Sequence, residues 1–174
     1  MYYVIQVITG KEERTLEDIK KISKDEPYFE VFSPSRKVMR KYKGEYKEVK
    51  EQCFPGYLFV KTDQIKRLFY DLYEIPGFKK VLGGDEYNQK FLPLSKEEER
   101  MVEILYDESK GYTTDLSDIE LNEGDMVKIL SGPLMFMDGK IKKIDLHKRK
   151  ATIELSLFKR AVLVQVGINI IKKV

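Results

Sequence analysis

The first half of the chain contains six segments in which apolar residues recur at helix or strand spacing. Two of them, from Thr9-Gly10 to about Lys24 and from Gln64 to Tyr73, have helical spacing and predict helices. Four segments rich in β-branched and aromatic residues predict strands: YYVIQV (2–7), FEVF (29–32), FPGYLFV (54–60) and FKKVL (78–82). The resulting order is strand, helix, strand, strand, helix, strand. This order predicts a ferredoxin-like antiparallel sheet with both helices on one face.

Two more elements are predicted in this half. KVMRKYKGEYKEVK (37–50) alternates loosely around Lys43-Gly44 and predicts a basic hairpin, in which Gly44 supplies the turn conformation. Ser95 and Glu98 have the spacing of a capping box, so a third helix is predicted from there to about residue 108. The acidic EEER segment of that helix is interpreted as a solvated face.

The second half changes character after SKGYTTDLSD (109–118), a polar stretch that predicts a linker. Beyond it, MVKILSG, GKIKKID, KATIELSLF, AVLVQV and INIIKKV are five short strand candidates separated by turn residues, a pattern typical of a small barrel. The predicted fold class is therefore α+β. A ferredoxin-like domain is expected over 1–108, a linker over 109–118 and a five-stranded SH3-like barrel over 119–174.

FPGYLFV is apolar on both faces, because side chains alternate across a strand. Leu58 and Val60 are assigned to the core under the helices, which leaves Tyr57 and Phe59 on the opposite face. We expect an exposed aromatic patch there, and such patches usually mark a binding surface. The alternative is that the third helix or the barrel covers this face.

An open aromatic face has two possible uses. Aromatic residues on a sheet can stack unpaired RNA bases, and PGYLFV resembles part of an RNA-recognition strand motif, although Pro55 and Thr62 depart from it. The other possibility is a protein partner whose apolar side chains insert into a shallow pocket, where a few anchors supply most of the affinity.

Charge is distributed unevenly along the chain, although the net charge is only +3. Residues 36–50 contain seven basic and two acidic side chains, and residues 119–174 contain eleven basic and six acidic ones. The segment 93–118 has the opposite balance, with three basic and eight acidic side chains. Two basic regions therefore flank an acidic one, which indicates two surfaces for an anionic partner.

The sequence offers little for catalysis or metal binding. Cys53 is the single cysteine and precedes an apolar strand, which suits a small buried residue, while His147, the single histidine, lies in a charged turn expected to be exposed. Metal-ligand spacing and phosphate-cradling glycine loops are absent from the sequence. We expect a non-enzymatic protein without cofactors. The N-terminus lacks a signal-peptide pattern and the apolar runs are short, so a cytoplasmic protein without membrane contact is expected.

The order and spacing of four motifs resemble those of the bacterial NusG family of transcription elongation factors. They are YYVIQVITGKE, FPGYLFV, PGFKKVLGG and GDMVKILSGPLMFMDG, the last matching the family's KOW motif. Together they cover essentially the whole chain. The divergent KOW sequence and the basic hairpin are more similar to specialised antiterminators of the LoaP type than to the housekeeping member.

The resemblance implies a monomeric factor whose N-terminal NGN domain docks on the clamp helices of RNA polymerase and suppresses pausing and termination. Matched by motif, the polymerase-binding residues are Val4, Gln6, Phe54, Tyr57 and Phe59. In the KOW barrel, Phe158 and Arg160 match the segment that contacts a ribosomal protein or the termination factor Rho. Lys159 stands where the family has glycine, and the neighbouring turn carries Leu134, Met135 and Met137, which leaves the barrel's partner open. The methionines also suit adaptable core filling.

Basic side chains near a transcribing polymerase can bind phosphates of a nascent RNA hairpin or of upstream DNA. Phosphate contacts supply affinity and salt sensitivity but little sequence choice. The expected nucleic-acid-binding residues are Arg36, Lys37, Arg40, Lys41, Lys43, Lys47, Lys140, Lys142, Lys143, Lys148, Arg149 and Lys150. The alternative function is a stand-alone RNA-binding protein that uses the aromatic residues of its ferredoxin-like sheet.

Overall fold

The computed structural model describes residues 1–124 and 126–173, so that Asp125 and Val174 lie outside the described residues. The chain forms two compact units, each made of two stretches of sequence. One contains Met1–Pro34 and Phe54–Arg100, and the other contains Ser35–Cys53 and the residues from Met101 onward. This division differs from the predicted boundaries at 108 and 119, because the basic hairpin belongs to the second unit.

The helices and strands follow one another closely along the described chain. The helices are α1 (Glu12–Ile22), α2 (Ile65–Leu72) and α3 (Lys96–Leu105). The strands are β1 (Tyr2–Val7), β2 (Phe29–Phe32), β3 (Ser35–Tyr42), β4 (Glu45–Gln52), β5 (Tyr57–Thr62), β6 (Phe78–Val81), β7 (Thr113–Thr114), β8 (Ser117–Asn122), β9 (Met126–Ser131), β10 (Ile141–Asp145), β11 (Lys150–Leu157) and β12 (Arg160–Lys173). Short 3-10 helices span Glu108–Lys110 and Pro133–Phe136. In the part of the chain that the structure describes, no helix has the length and apolar character needed to cross a membrane.

The first unit contains a four-stranded antiparallel sheet in the order β2-β5-β1-β6. This order confirms the ferredoxin-like arrangement. Its core face carries Ile5 and Val7 from β1 and Leu58 and Val60 from β5, which pack with buried side chains of both helices, including Ile19 and Leu68. The predicted assignment of Leu58 and Val60 to the core under the helices is confirmed.

The start of α3 confirms the predicted capping box. The Ser95 backbone N–H donates to Glu98 at 2.8 Å, and the Glu98 N–H donates to the Ser95 hydroxyl at 3.2 Å. The prediction that the acidic segment is a solvated face is wrong for Glu98 and Glu99, which are both buried. Glu99 accepts a hydrogen bond from the backbone N–H of Tyr2 at 3.0 Å, so its carboxylate fastens the beginning of β1.

The predicted basic hairpin is confirmed in the second unit. Strands β3 and β4 pair without interruption, from Ser35 opposite Gln52 to Tyr42 opposite Glu45. Lys43 and Gly44, which form the turn between them, both have positive φ. Strand β3 also pairs in parallel with β7. The segment 109–118, predicted as a linker, therefore contains a strand and the beginning of another.

The second unit also contains a five-stranded sheet in the order β10-β11-β12-β8-β9, consistent with a KOW barrel. Two strands predicted separately, AVLVQV and INIIKKV, form the single strand β12 over the described residues, and Val174 lies outside them. Strand β8 was not predicted. Strand β12 pairs with β11 as far as Gly167 and with β8 from Ile168 onward. A Cβ atom at position 167 would overlap the carbonyl oxygen of Lys37, so this position requires glycine. Gly167 therefore marks a place where two backbones pack closely, and not the end of a strand.

Candidate functional site

The face of the first sheet opposite the helices carries a row of apolar and aromatic side chains. Phe32, Phe59 and Val4 stand opposite one another on β2, β5 and β1. Tyr57 stands opposite Gln6 at the next pair of residues whose side chains point to this face. We call this surface the aromatic face and define it by seven residues: Tyr2, Val4, Gln6, Phe32, Phe54, Tyr57 and Phe59.

Phe59 is the centre of the aromatic face. Its ring stacks on Phe32 with centroids 5.7 Å apart and contacts the tilted ring of Phe54 at 5.5 Å. Tyr2 packs edge-on against Phe32 at 6.4 Å. Aromatic pairs at these separations add stability beyond the area they bury. The face is therefore a preformed cluster and not a set of separate exposed rings.

The expectation of an open patch is wrong for two of the five predicted polymerase-binding residues. Phe59 is only 1% exposed and Val4 only 4%, and the rings of Phe32 and Phe54 pack against Phe59. At these two residues the alternative holds: the face is covered. Phe54, Tyr57 and Gln6 are half-buried and form the accessible part. The structure thus brings all five residues together but gives them different exposures.

A tight turn before β5 sets the position of Phe54, which strand alternation could not predict. The Tyr57 N–H donates to the Phe54 carbonyl at 3.1 Å, and Gly56 between them has φ +85°. Proline followed by a glycine with positive φ is typical of a type II turn. The Gly56 carbonyl accepts from the Val7 N–H at 2.9 Å, so the turn is also joined to the end of β1.

Glu12 at the start of α1 holds the same turn from the other side. One carboxylate oxygen of this buried residue accepts a hydrogen bond from the Gly56 N–H at 2.6 Å. Burial alone would raise the pKa of Glu12, but hydrogen bonds from the backbone at Glu12, Gly10 and Gly56 outweigh it and lower the pKa. Glu12 is therefore held as a carboxylate that positions the turn.

The basic hairpin is organised around a second carboxylate, that of Glu51 on β4. Its Oε2 accepts from Nη2 of Arg36 at 3.1 Å and from Nζ of Lys150 at 3.3 Å. Its Oε1 accepts from Nε of Arg40 at 2.8 Å. Burial would raise the pKa of Glu51, but the hydrogen bonds from Arg40, Arg36 and Lys150 lower it to about 2. Three of the predicted phosphate-binding cations thus converge on one anion.

The other hairpin cations differ in their surroundings. Lys37 forms ion pairs with Asp115 at 3.2 Å and Glu48 at 3.7 Å. Lys43 and Lys47 place their ammonium groups 5.4 and 5.3 Å from the centre of the exposed Tyr42 ring. Lys41 is exposed. The tip of the hairpin therefore carries its accessible positive charge, whereas Lys37 is partly neutralised.

The turn between β10 and β11 adjoins the hairpin within the second unit. The Arg149 guanidinium lies 4.5 Å from the centre of the Tyr46 ring, and the Tyr46 hydroxyl donates to the His147 carbonyl at 3.3 Å. Lys148 in the same turn is exposed. Together with Lys150, this turn extends the cationic surface of the hairpin onto the barrel.

The remaining predicted cations of the barrel have other surroundings. Lys142 pairs with Glu154 at 3.7 Å, and Lys143 is exposed. Lys140 and Arg160 line a shallow groove of about 310 Å³ beside the turn between β11 and β12. Phe158 lies in that turn with φ 53° and is half-buried.

The turn after β9 divides its apolar residues between core and surface. Leu134 and Met137 are fully buried, which confirms the core-filling interpretation for Met137. Met135 and Phe136 are exposed, so that interpretation is wrong for Met135.

Cys53 and His147 lack the surroundings of a catalytic pair. Burial raises the pKa of the Cys53 thiol, despite opposing hydrogen bonds from Tyr106 and Arg36, so the unreactive thiol form is favoured. His147 is exposed, as predicted. Among the described residues, no group of three or more histidine, cysteine, aspartate or glutamate side chains could hold a metal ion.

Comparison with known families bears directly on the first unit. A family model described as the transcription termination factor NusG matches residues 1–103. The chain belongs to the NusG family. The matched range contains the whole aromatic face, the turn before β5 and the basic hairpin.

Two relatives and one solved structure are similar to this chain along most of its length. The transcription termination/antitermination protein NusG of Staphylococcus epidermidis is 26% identical over 176 residues, covering 99% of this chain and 94% of its own. The NusG protein of Streptococcus pyogenes serotype M3 is 26% identical over 160 residues, covering 88% and 86%. A Thermotoga maritima NusG structure, described by its domain interaction, matches with a TM-score of 0.54, 23% identity and coverage of 95% and 92%. This last similarity shows a shared fold.

Three residues that contribute to these surfaces were not among the site residues predicted from the sequence. Phe32 and Tyr2 complete the aromatic cluster, and the register that places Phe32 opposite Phe59 supplies the signal once strand order is known. Glu51 was not predicted because it lies one residue beyond the basic segment 36–50 in which the charges were counted. Its position opposite Arg36 in the hairpin register is the signal that reveals it.

Proposed function

We propose that this NusG-family protein is an antitermination and elongation factor that docks on the clamp helices of RNA polymerase through its aromatic face. Phe59 and Val4 form the floor of the docking surface, and Phe54, Tyr57 and Gln6 form its accessible rim. The protein acts without catalysis or cofactor, as a monomer in the cytoplasm. Its effect on transcription follows from preferential binding to the elongating conformation of the polymerase.

The observation that carries this proposal is the position of the aromatic face inside the family match. All five residues carried over by motif lie within residues 1–103. Four of them lie on one face of one sheet, and Phe54, in the turn before β5, packs against Phe59. The Phe32–Phe59–Phe54 cluster makes this surface rigid, and rigid aromatic anchors lower the entropic cost of binding. A shallow apolar surface with a polar rim at Gln6 suits a protein partner.

A second contact, with nucleic acid, is assigned to the hairpin and the neighbouring barrel turn. Lys41, Lys43 and Lys47 are exposed at the hairpin, and Lys148 is exposed in the turn that Tyr46 joins to it. Phosphates of a nascent RNA hairpin or of upstream DNA are the ligands that such a surface fits. Phe158 and Arg160 remain proposed contacts to a ribosomal protein or another factor.

Polymerase binding of a Tyr57→Ala variant tests the proposal. Tyr57 is half-buried at the rim, so its truncation removes contact area without opening the core. We expect a loss of affinity of about tenfold or more, the range of an interface anchor. Tyr73→Ala is the matched control, because Tyr73 is an exposed tyrosine on the helical side of the same unit.

RNA binding measured on the same two variants separates the alternative function. If Tyr57→Ala leaves polymerase binding intact and removes RNA binding, the aromatic face is an RNA-stacking surface and the proposal is wrong. If both variants bind polymerase like the unmodified protein, another surface is responsible for docking.

A further inference from the structure

The geometry around Glu51 differs from that of an ordinary surface ion pair. The carboxylate and the Arg36 side chain are each only 14% exposed, and the Lys150 side chain is 20% exposed. Both carboxylate oxygens are used: Oε2 by Arg36 and Lys150, and Oε1 by Arg40. The Arg36 guanidinium also donates to the Gln165 carbonyl on β12 at 3.2 Å. One carboxylate therefore connects the hairpin to the barrel through three cations.

We propose that Glu51 is a positioning residue that fixes Arg36, Arg40 and Lys150 as one preassembled phosphate-binding site for a nucleic-acid backbone. This inference rests on the proposed nucleic-acid contact of the hairpin. It adds a specific phosphate-binding site and gives a role to an acidic residue. A sum of the local charges would count that residue as unfavourable for binding phosphate.

The charge balance at this site leaves it able to bind an anion. Three cations face one carboxylate, so a local surplus of positive charge remains after pairing. Arg40 is the exposed member, with 65% of its side chain accessible. A guanidinium carries five N–H donors. Glu51 engages those of Nε and Nη2, and Nη1 offers two more donors to a phosphate oxygen.

The neighbours of Arg40 extend the site along the hairpin. Lys47 stands directly opposite Arg40 across the β3–β4 ladder, so both side chains project from the same face. Lys43 lies at the adjacent turn and shares contact with the Tyr42 ring. A phosphodiester backbone, with its regularly spaced charges, fits such a row better than an isolated anion.

Positioning by Glu51 favours binding because long cationic side chains are otherwise mobile. Holding an arginine or a lysine in one conformation costs rotamer entropy at the moment of binding. Glu51 has already restricted three of these side chains in the free protein. The two effects of Glu51 on an anionic ligand are therefore opposed: its charge repels phosphate, and its positioning of the cations favours phosphate.

Glu51→Gln and Glu48→Gln form a matched pair that separates these effects. Both substitutions remove one negative charge from β4, but Glu48 is exposed and forms its 3.7 Å ion pair with Lys37. Binding would be measured with a fluorescein-labelled DNA duplex of arbitrary sequence and with an RNA hairpin of the same length. The duplex and the hairpin distinguish the two sources of phosphate.

We expect Glu51→Gln to weaken binding about fivefold on at least one of these probes, and Glu48→Gln to leave it unchanged or tighter. Equal or tighter binding by Glu51→Gln would overturn the inference. Circular dichroism and thermal unfolding check that each variant is folded.

If the Glu51→Gln variant does not fold, the Arg40→Gln variant provides a second test. Arg40→Gln changes an exposed side chain and should reduce both the affinity and the salt slope, whereas unchanged values of both would overturn the inference. If the unmodified protein binds neither probe, the nucleic-acid part of the proposed function fails as well. If it binds and the two glutamate variants behave alike, only the positioning role fails.

Discussion

The buried carboxylate of Glu12 accepts a hydrogen bond from the backbone N–H of Gly56, at 2.6 Å and across 44 residues of sequence. This contact joins the start of α1 to the turn from which Phe54 and Tyr57 emerge. The accessible rim of the aromatic face is thus positioned from the opposite, helical side of the sheet. If the aromatic face docks as proposed, a residue outside that face can therefore affect how well it binds.

Glu12→Gln should lower the free energy of unfolding by about 1–2 kcal/mol, because a charge-assisted hydrogen bond to a buried N–H is weakened. The lowered pKa of Glu12 also fixes the sign of a pH effect. Its stabilisation is present above the unfolded pKa and is lost as the pH falls through the folded value. Urea unfolding at neutral and acidic pH measures the loss of stability in the variant and the pH dependence of stability. The exposed neighbour in Glu13→Gln is the control, and an equal loss in both variants would contradict the positioning role.

Gly56→Ala should destabilise the protein more than Gly10→Ala. Both glycines have φ +85°, so both substitutions place an alanine in the left-handed region that favours glycine. A Cβ atom on Gly56 would lie 2.8 Å from Oγ1 of Thr9, whereas one on Gly10 would meet nothing within 4 Å. We expect a difference of about 1 kcal/mol or more from this overlap. Thermal unfolding of the two variants checks it, and equal destabilisation would show that Thr9 moves aside without cost.

Stability should fall as the pH drops from the ordinary glutamate pKa of 4.5 to the value of about 2 for Glu51. The lowered pKa means that the unfolded chain takes up a proton in this range while the folded protein does not. The stabilisation is therefore complete above pH 4.5 and lost below about pH 2, and it amounts to about 3 kcal/mol. Unfolding of Glu51→Gln should show a flatter pH dependence there. An unchanged profile would mean that the three cations do not stabilise the folded carboxylate.

Lys43→Gln combined with Lys47→Gln should reduce the salt dependence of nucleic-acid binding. Each phosphate contact contributes a slope of about 0.9 in a plot of log affinity against log salt, so the slope should fall by about 2. Lys20→Gln with Lys24→Gln is the control, because these exposed lysines belong to the first unit. Titrations at several salt concentrations measure the slope. An unchanged slope would reduce the hairpin tip to a solubility device.

Local patterns were sufficient for the elements of the first unit because each is specified by residues close in sequence. The apolar rows of β1 and β5 gave their core faces, and Ser95 with Glu98 gave the start of α3. The exposure of Phe59 could not be obtained this way. Its burial depends on Phe32, whose strand becomes a neighbour only when the sheet assembles.

The second unit shows the same limit for polar residues. Gly167 looked like a break between strands, but it is a place where two backbones approach. Glu51 lies one residue beyond the basic segment 36–50 in the sequence. In the structure its carboxylate accepts hydrogen bonds from cations of the hairpin and of the barrel, including Lys150 from 99 residues away. Charge composition indicates that a surface is basic, whereas pairing geometry decides which cations are available.

The basic hairpin is encoded between two strands of the first sheet, yet it folds with the barrel. The chain therefore crosses between its two units three times: after Pro34, after Cys53 and after Arg100. A fragment beginning at residue 119 would lack β3, β4 and β7, and a fragment ending at residue 108 would carry a hairpin separated from its support. Recombination at a single point cannot exchange the barrel cleanly with that of a relative. Transfer of this module between proteins requires that the hairpin move with it.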